Sequence, residues 1–215
     1  MDEDRAVICI CGVLASGKTT LVRRLSEGLD GASVLVFDEY EAFSEWPADF
    51  DAWRAEGCDP SQVRVPRLRE DLEALRAGQS VTHPMDEHEV QPSPLLLVED
   101  PFGRTRPDIR ALYDLALFVD LPFDLSVVRM AQRALNLGLD RHGTPVGERS
   151  RDELAEQVER AESWLANYTM LRDMYTVLAE PVRASADAVL DGRQPPDALY
   201  EEALVTIRDR GYLRH

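Results

Sequence analysis

The chain has 215 residues, with 24 Lys and Arg against 40 Asp and Glu, for a formal net charge of −16. Hydrophobic residues at 44% and charged residues at 30% are a globular composition, sufficient for one domain with a real core and unlike that of a disordered chain. The acidic excess argues against general nucleic-acid binding and against docking on an anionic membrane, because both need a basic face.

The N-terminus, MDEDRAVICI, has neither a signal nor a transit pattern, and no stretch approaches the ~20 apolar residues of a membrane span. The expectation is a cytoplasmic, reduced protein. Ala6–Cys11 is a short apolar run that suits a strand buried on both faces. Cys9 and Cys11 within it read as small hydrophobes; a C-x-C zinc half-site would need a second Cys/His pair of ligand spacing, and none follows. With Cys58 they are too few for a disulfide framework.

A glycine-containing turn leads to a helix over Thr19–Leu29, with Leu21, Val22, Leu25 and Leu29 at helical spacing. Ser33–Phe37 reads as a second buried strand ending in Asp38-Glu39-Tyr40-Glu41. From Ala42 to Pro66 the pattern weakens, with Phe43, Trp46, Phe50 and Trp53 among acids and prolines. Arg67–Ala77 is an amphipathic helix with Leu68, Leu72 and Leu75 on one side, stopped by Gly78. Leu95–Val98 and Leu115–Asp120 are further strands, and Leu125–Leu135 is a helix. Gly138–Arg151 reads as a loop, and Arg151–Leu178 as one long polar helix with an apolar stripe at Leu154, Val158, Ala161, Leu165 and Tyr168. A last strand at Ala188–Leu190 precedes a linker and a helix from Asp197 to Asp209. Strands alternating with helices predict an α/β domain with a mainly parallel sheet.

Gly12-Val-Leu-Ala-Ser-Gly17-Lys18-Thr19 fits G-x-x-x-x-G-K-[ST] without a mismatch, between a strand and a helix. Such a loop turns successive N–H groups toward phosphate oxygens, and the helix N-terminus adds unpaired donors. Lys18 would reach the β- and γ-phosphates, and the Thr19 hydroxyl would ligate Mg²⁺. The fold class is therefore an α/β three-layer sandwich of the P-loop NTPase type. One domain over 1–215 is expected, with an acceptor-binding insertion at about 39–93 and a lid at about 129–152.

Asp38, Glu39, Glu99, Asp100 and Asp120 fall at strand ends, where open parallel sheets hold their ligands. Asp120, followed by Leu-Pro, is assigned to capping the next helix. Asp38 and Glu99 suit a catalytic base and a metal-side acid, with Asp100 left open as an alternative for the latter. Arg129, Arg133, Arg141, Arg149 and Arg151 form a local basic series, read as a lid that closes over a triphosphate.

These residues resemble the uridine kinase family of P-loop kinases, with phosphoribulokinase and bacterial pantothenate kinase as more distant relatives. The resemblance rests on Ala15–Thr20, Phe37-Asp38-Glu39-Tyr40, Gly78-Gln79-Ser80-Val81, Pro84-Met85-Asp86, Leu97-Val98-Glu99, Ala116–Asp120, Arg129 with Arg133, and Ser150-Arg151-Asp152. It runs from about residue 6 to about 191. Asp100, Met130 and Ala134 depart from the family pattern. The resemblance implies ATP and Mg²⁺ as cofactors, with Gly12, Ala15, Ser16, Gly17, Lys18, Thr19, Thr20 and Arg133 at the nucleotide and Thr19 and Glu99 at the metal. It implies Asp38 as the base, Lys18, Arg129 and Arg133 as stabilisers of the transferring phosphoryl, and Asp38, Tyr40, Asp86, His88 and Arg151 at the acceptor.

The leading expectation is an ATP-dependent kinase for a hydroxyl of a nucleoside or another small alcohol. Acids at Asp38, Glu39, Glu41, Asp86, Glu87 and Glu89 would repel a phosphorylated acceptor, which favours a neutral or cationic one. One alternative is a nucleoside monophosphate kinase-like enzyme, which needs an arginine pair such as Arg64 and Arg67 at the acceptor. Another is a regulatory NTPase that binds a protein partner; no N-K-x-D-like guanine motif is present. The long helix and the C-terminal helix leave open a homodimer interface or packing on the sheet.

Overall fold

The structure, a computed structural model, describes residues 5–29, 31–135 and 150–213. In chain order its main elements are β1 (Ala6–Gly12), α1 (Lys18–Gly28), β2 (Ser33–Val36), α2 (Phe50–Ala55), α3 (Pro66–Arg76), β3 (Val81–Thr82), β4 (Glu89–Val90), β5 (Leu95–Glu99), β6 (Leu115–Asp120), α4 (Phe123–Ala134), α5 (Arg151–Ala166), α6 (Tyr168–Ser185), β7 (Ala188–Asp191) and α7 (Pro196–Asp209). A five-stranded sheet runs β2-β5-β1-β6-β7 with every pairing parallel, and β3 and β4 form a separate antiparallel hairpin.

The central strand shows why the pattern is continuous rather than alternating. Val7 to Cys11 are all fully buried, because both faces of β1 are covered. Ile8 and Ile10 pack with Leu21, Val22 and Leu25 of α1 and with Leu199, Ala203 and Ile207 of α7. Val7, Cys9 and Cys11 pack on the other face with Leu68, Leu72 and Leu75 of α3 and Leu178 and Val182 of α6. The result is the expected three-layer α/β sandwich, with all strand carboxyl ends on one edge. No helix among the described residues is long and apolar enough to cross a membrane.

Three local expectations change. The expected helix over Arg151–Leu178 is two helices that meet at Asn167, whose side-chain amide and backbone N–H both donate to the Ser163 carbonyl, at 3.0 and 3.3 Å. Of its apolar stripe only Ala161 is buried; Leu154, Val158 and Leu165 are half exposed, because α5 lies outside α4 and α6 rather than on the sheet. Asp120 does not cap α4. The N-cap position is Pro122, two residues further on, and Asp120 instead pairs with Arg183 at 3.4 Å. The segment after β2 turns at once into a 3₁₀ stretch, Phe37–Phe43, and α2 organises the aromatic-acidic run that carried no periodic signal.

A separate finding concerns the two acids at the end of β5. Neighbouring strand residues point to opposite faces, and Asp100 takes the inner one. It is fully buried, with Oδ2 2.5 Å from Nη2 of Arg106 and 2.7 Å from the Tyr113 hydroxyl, while Oδ1 accepts from the Phe102 N–H at 3.0 Å. The Arg106 guanidinium lies over the rings of Phe37 and Phe102, 5.6 and 5.5 Å from their centroids, and the two rings meet edge to face 5.4 Å apart. Asp100 is thereby an anchor of the core, not a candidate for the metal. Removing it strands a buried cation. Asp100→Ala is expected to cost about 3–5 kcal/mol of stability, read from urea unfolding, and a loss below about 1 kcal/mol would mean that the pair is not the anchor described.

Candidate active site

The phosphate-binding loop is shaped by one close backbone contact at Gly12 and by left-handed backbone at Gly17. Gly12 has φ 139°, and a Cβ there would lie 2.5 Å from the Val119 carbonyl oxygen of β6. Gly17, at φ 106°, is the N-cap of α1 and offers no capping side chain. The first turn of α1 contains no acid either, so its N–H groups stay available to an anion. The loop is also held from behind by α4. Ser126 Oγ donates to the Leu14 carbonyl at 2.5 Å, and Arg129 donates to the Ala15 and Ser16 carbonyls at 3.5 and 3.3 Å and to Gly192 at 2.9 Å.

Lys18 projects from the start of α1 into the site, donating to the Val13 carbonyl at 3.1 Å and lying 3.9 Å from Oε1 of Glu99. Burial depresses its ammonium, and the carboxylates of Glu99 and Asp38 pull it back up. Burial raises the Glu99 carboxyl, opposed by the Lys18 charge and a hydrogen bond from Thr19. Glu99 Oε2 and Ser16 Oγ are buried without a protein partner. A carboxylate oxygen left free beside a threonine hydroxyl suits a hard divalent cation. A free serine hydroxyl within a cradle of N–H donors suits a phosphate oxygen. The donor set therefore fits a Mg²⁺-nucleotide: Gly12–Thr19 would hold the phosphates, and Thr19 and Glu99 the metal.

A cavity of about 360 Å³ opens beside this loop. Lys18, Thr19, Glu99 and Arg133 lie on its lining with Asp38 and Glu41, and the remaining wall is mostly apolar: Trp46, Phe102, Met174, Tyr175 and Leu178 among others. Trp46 is fixed by edge-on packing against Phe102 at 6.1 Å and Trp53 at 6.0 Å. Trp53 is buried, and its Nε1 donates to the Asp59 carbonyl at 2.9 Å. The insertion after β2 thus spends its aromatics on one wall. Tyr175 faces the acids, and its hydroxyl is pushed up by burial and by Asp38 and Glu41.

The expected site residues divide into those this cavity gathers and those it does not. Gly12, Ala15, Gly17, Lys18, Thr19, Asp38, Glu99 and Arg133 line it. Ser16 and Thr20 line a smaller neighbouring cavity of about 250 Å³, together with Arg129 and Arg133. Arg129, with its bonds to loop carbonyls, braces the loop rather than pointing at a transferring group. Tyr40 is fully buried and donates to Asp71 at 3.0 Å, which removes it from any contact with an acceptor. Asp86 and His88 pair with each other on the β3–β4 hairpin and do not line the cavity. Arg151 is an exposed residue of the first turn of α5, also off the lining. Arg67 is engaged with Asp71 at 2.9 Å. Arg141 and Arg149 lie outside the described residues. The acidic wall shrinks to Asp38, Glu41 and Glu99, since Glu39, Glu87 and Glu89 are not part of it. Trp46, Phe102 and Tyr175 are additions that sequence reasoning missed; they come from three remote segments, and only the run of aromatics around Trp46 gave a sign of them.

No family model matches the chain. Among curated proteins it is similar to a uridine kinase of Chloroflexus aggregans, 26% identical over 206 residues that cover 89% of each chain. It is also similar to a phosphoribulokinase of Synechocystis sp., 23% identical over 202 residues; these cover 87% of this chain, which spans about half (54%) of that longer relative. Among solved structures it resembles a gluconokinase from Sinorhizobium meliloti, with a TM-score of 0.51 at 17% identity over 96% of this chain and 93% of that one. That last likeness concerns the fold.

Ligand protection separates the roles of the two acids at the end of β5. A nucleotide-metal complex that binds only the folded state at about 100 times its Kd stabilises it by about 2.7 kcal/mol. In thermal melts, Mg·ATP is expected to protect the unaltered chain more than ATP alone. Glu99→Gln is expected to erase that magnesium-dependent increment while keeping the protection by ATP. An increment that survives Glu99→Gln would place the metal elsewhere.

Proposed function

We propose that this chain, which is similar to uridine kinases and to a phosphoribulokinase, transfers the γ-phosphoryl group of ATP to a hydroxyl of a small, non-anionic alcohol. The observation that carries this reading is one continuous cavity. It has the phosphate cradle with Lys18 and Glu99 on its lining, and it also has Asp38 and Glu41 against an apolar wall. A pure nucleotide switch has no need of a carboxylate in such a chamber beside the phosphates.

The roles follow from position. Gly12–Thr19 bind the triphosphate through backbone N–H groups, and Lys18 spreads its charge over the β- and γ-phosphate oxygens. Thr19 and Glu99 hold Mg²⁺, which when bound supplies neutralisation of the phosphate charge. Asp38 accepts the proton of the attacking hydroxyl. Arg133 stabilises charge on the transferring group, with Arg129 keeping the loop in shape behind it. Trp46, Phe102, Met174 and Tyr175 exclude water and orient the body of the acceptor.

Charge and shape support a nucleoside or a sugar- or amine-bearing alcohol as acceptor. Among the described lining residues the cations are Lys18 and Arg133, both needed for the donor phosphates. A monophosphate acceptor would meet Asp38 and Glu41 without a cation of its own. An amine would meet two carboxylates, and an aromatic or aliphatic body would meet Trp46.

A panel of nucleosides, pantothenate, sugars and amino alcohols, followed by ADP release, tests the proposal. At least one uncharged or cationic alcohol is expected to stimulate turnover, and more than the anionic pantothenate does. With that acceptor, Asp38→Asn is expected to lower kcat by roughly 10²–10⁴-fold, and Trp46→Ala to raise KM more than it lowers kcat. Fast hydrolysis that no acceptor alters, or an Asp38→Asn enzyme of normal kcat, would overturn it.

A further inference from the structure

A second constellation stands on the β3–β4 hairpin, outside the cavity of the proposed reaction. Between Thr82 and Glu89 the chain makes a compact turn, closed by the His83 N–H bonding to the His88 carbonyl at 2.8 Å and by Glu87 in a left-handed conformation at φ 57°. This turn brings His83, Asp86 and His88 together. Asp86 Oδ1 is 2.7 Å from Nδ1 of His83 and 2.5 Å from Nδ1 of His88, and the two rings stack with centroids 4.6 Å apart. One ligand atom from each residue lies within 4.8 Å of the others.

The hydrogen-bond partners argue against a self-sufficient cluster. His83 is buried, and its Nε2 is 3.0 Å from Oε2 of Glu39, an acceptor. The Met85 N–H approaches His83 Nδ1 at 3.4 Å as a donor. Both contacts call for the tautomer with the proton on Nε2 and a lone pair on Nδ1. In that tautomer His83 offers Asp86 a lone pair, so two acceptors face each other at 2.7 Å. A cation between them removes the conflict; so does a second ring proton, and metal titration distinguishes the two. A carboxylate that holds the outer N–H of a metal-binding imidazole is the usual way such a ring is oriented.

We infer that His83, Asp86 and His88 form a zinc site, with Glu39 orienting His83. Two imidazole nitrogens and one carboxylate oxygen suit Zn²⁺, whereas Mg²⁺ and Ca²⁺ take oxygen ligands. Tetrahedral ligation at about 2.0–2.2 Å places ligand atoms about 3.3 Å apart, so Asp86 opens slightly as the ion enters. Asp86 and His88 are more than half exposed, which gives the ion a path and leaves the fourth position to solvent. The ion would clip the hairpin to Glu39, the residue that follows Asp38 in the 3₁₀ stretch.

The test titrates the untagged, nucleotide-free and magnesium-free chain with ZnCl₂ by calorimetry, with Co²⁺ absorption as the reporter of ligand geometry. One ion per chain is expected. His88→Ala and Asp86→Asn should each raise its Kd at least about 100-fold, and Glu39→Gln about 10–100-fold, as for loss of an orienting partner. Glu99→Gln should leave zinc binding unchanged. His88 is exposed and Asp86→Asn is isosteric, so at least one of these variants reports from a folded chain, verified by circular dichroism. Absence of saturable one-to-one binding, wild-type affinity in a folded His88→Ala or Asp86→Asn chain, or loss of zinc in Glu99→Gln would each overturn the assignment.

Discussion

The direction of two neighbouring carboxylates at the end of β5 governs the site. Strand geometry sends successive side chains to opposite faces. Asp100 is claimed by Arg106, Tyr113 and the Phe102 N–H inside the core. Glu99 therefore has only the other face available, the one on which Lys18 and Thr19 begin α1. An ion pair buried this deeply is weak evidence of stability on its own, since desolvation offsets its attraction. Its worth here is in register. It fixes which acid meets the phosphate loop, and its guanidinium also lies over the rings of Phe37 and Phe102, so that wall of the cavity rests on the same anchor.

The loop is built on similar terms. Gly12 is pressed against the backbone of β6, and Arg129 and Ser126 reach from α4 to the loop carbonyls. These contacts occupy the Leu14, Ala15 and Ser16 carbonyls, and apart from the Ser16 N–H, which bonds the Val13 carbonyl, they leave loop N–H groups to an anion. A chain of net charge −16 can hold a polyanion because the relevant field is local: Lys18, Arg133 and oriented amides within one cavity. The unpaired Glu99 and Ser16 oxygens cost stability in the free protein. Functional sites commonly carry such a cost, and a bound metal and phosphate would relieve it.

Much of this was legible in the residues. The six-residue apolar run before Gly12, the loop motif itself and the alternation of strands with helices all express local rules, and the five strands of the main sheet fall within about a residue of those read from the pattern, whereas the short β3–β4 hairpin gave no strand signal. The α3 face of Leu68, Leu72 and Leu75 was legible for the same reason; all three are fully buried. Asp38 stood out because an acid after a buried strand lies on the ligand edge of a parallel sheet. Tyr40 stood beside it in sequence, yet it points to Asp71 in the core, because a 3₁₀ stretch rotates each residue by about a third of a turn.

What the sequence determined by itself was therefore the sheet, the nucleotide loop and one edge acid, because each depends on contacts a few residues apart and on simple periodicity. The tertiary structure decided the rest. It chose Glu99 over Asp100, turned Arg129 to the loop carbonyls, brought Tyr175 from α6 across to Trp46, and gathered His83, Asp86 and His88 beside Glu39. Each of these outcomes depends on which distant surface claims a side chain first. Burial, charge pairing and hydrogen-bond satisfaction act through space, and no spacing along the chain records them.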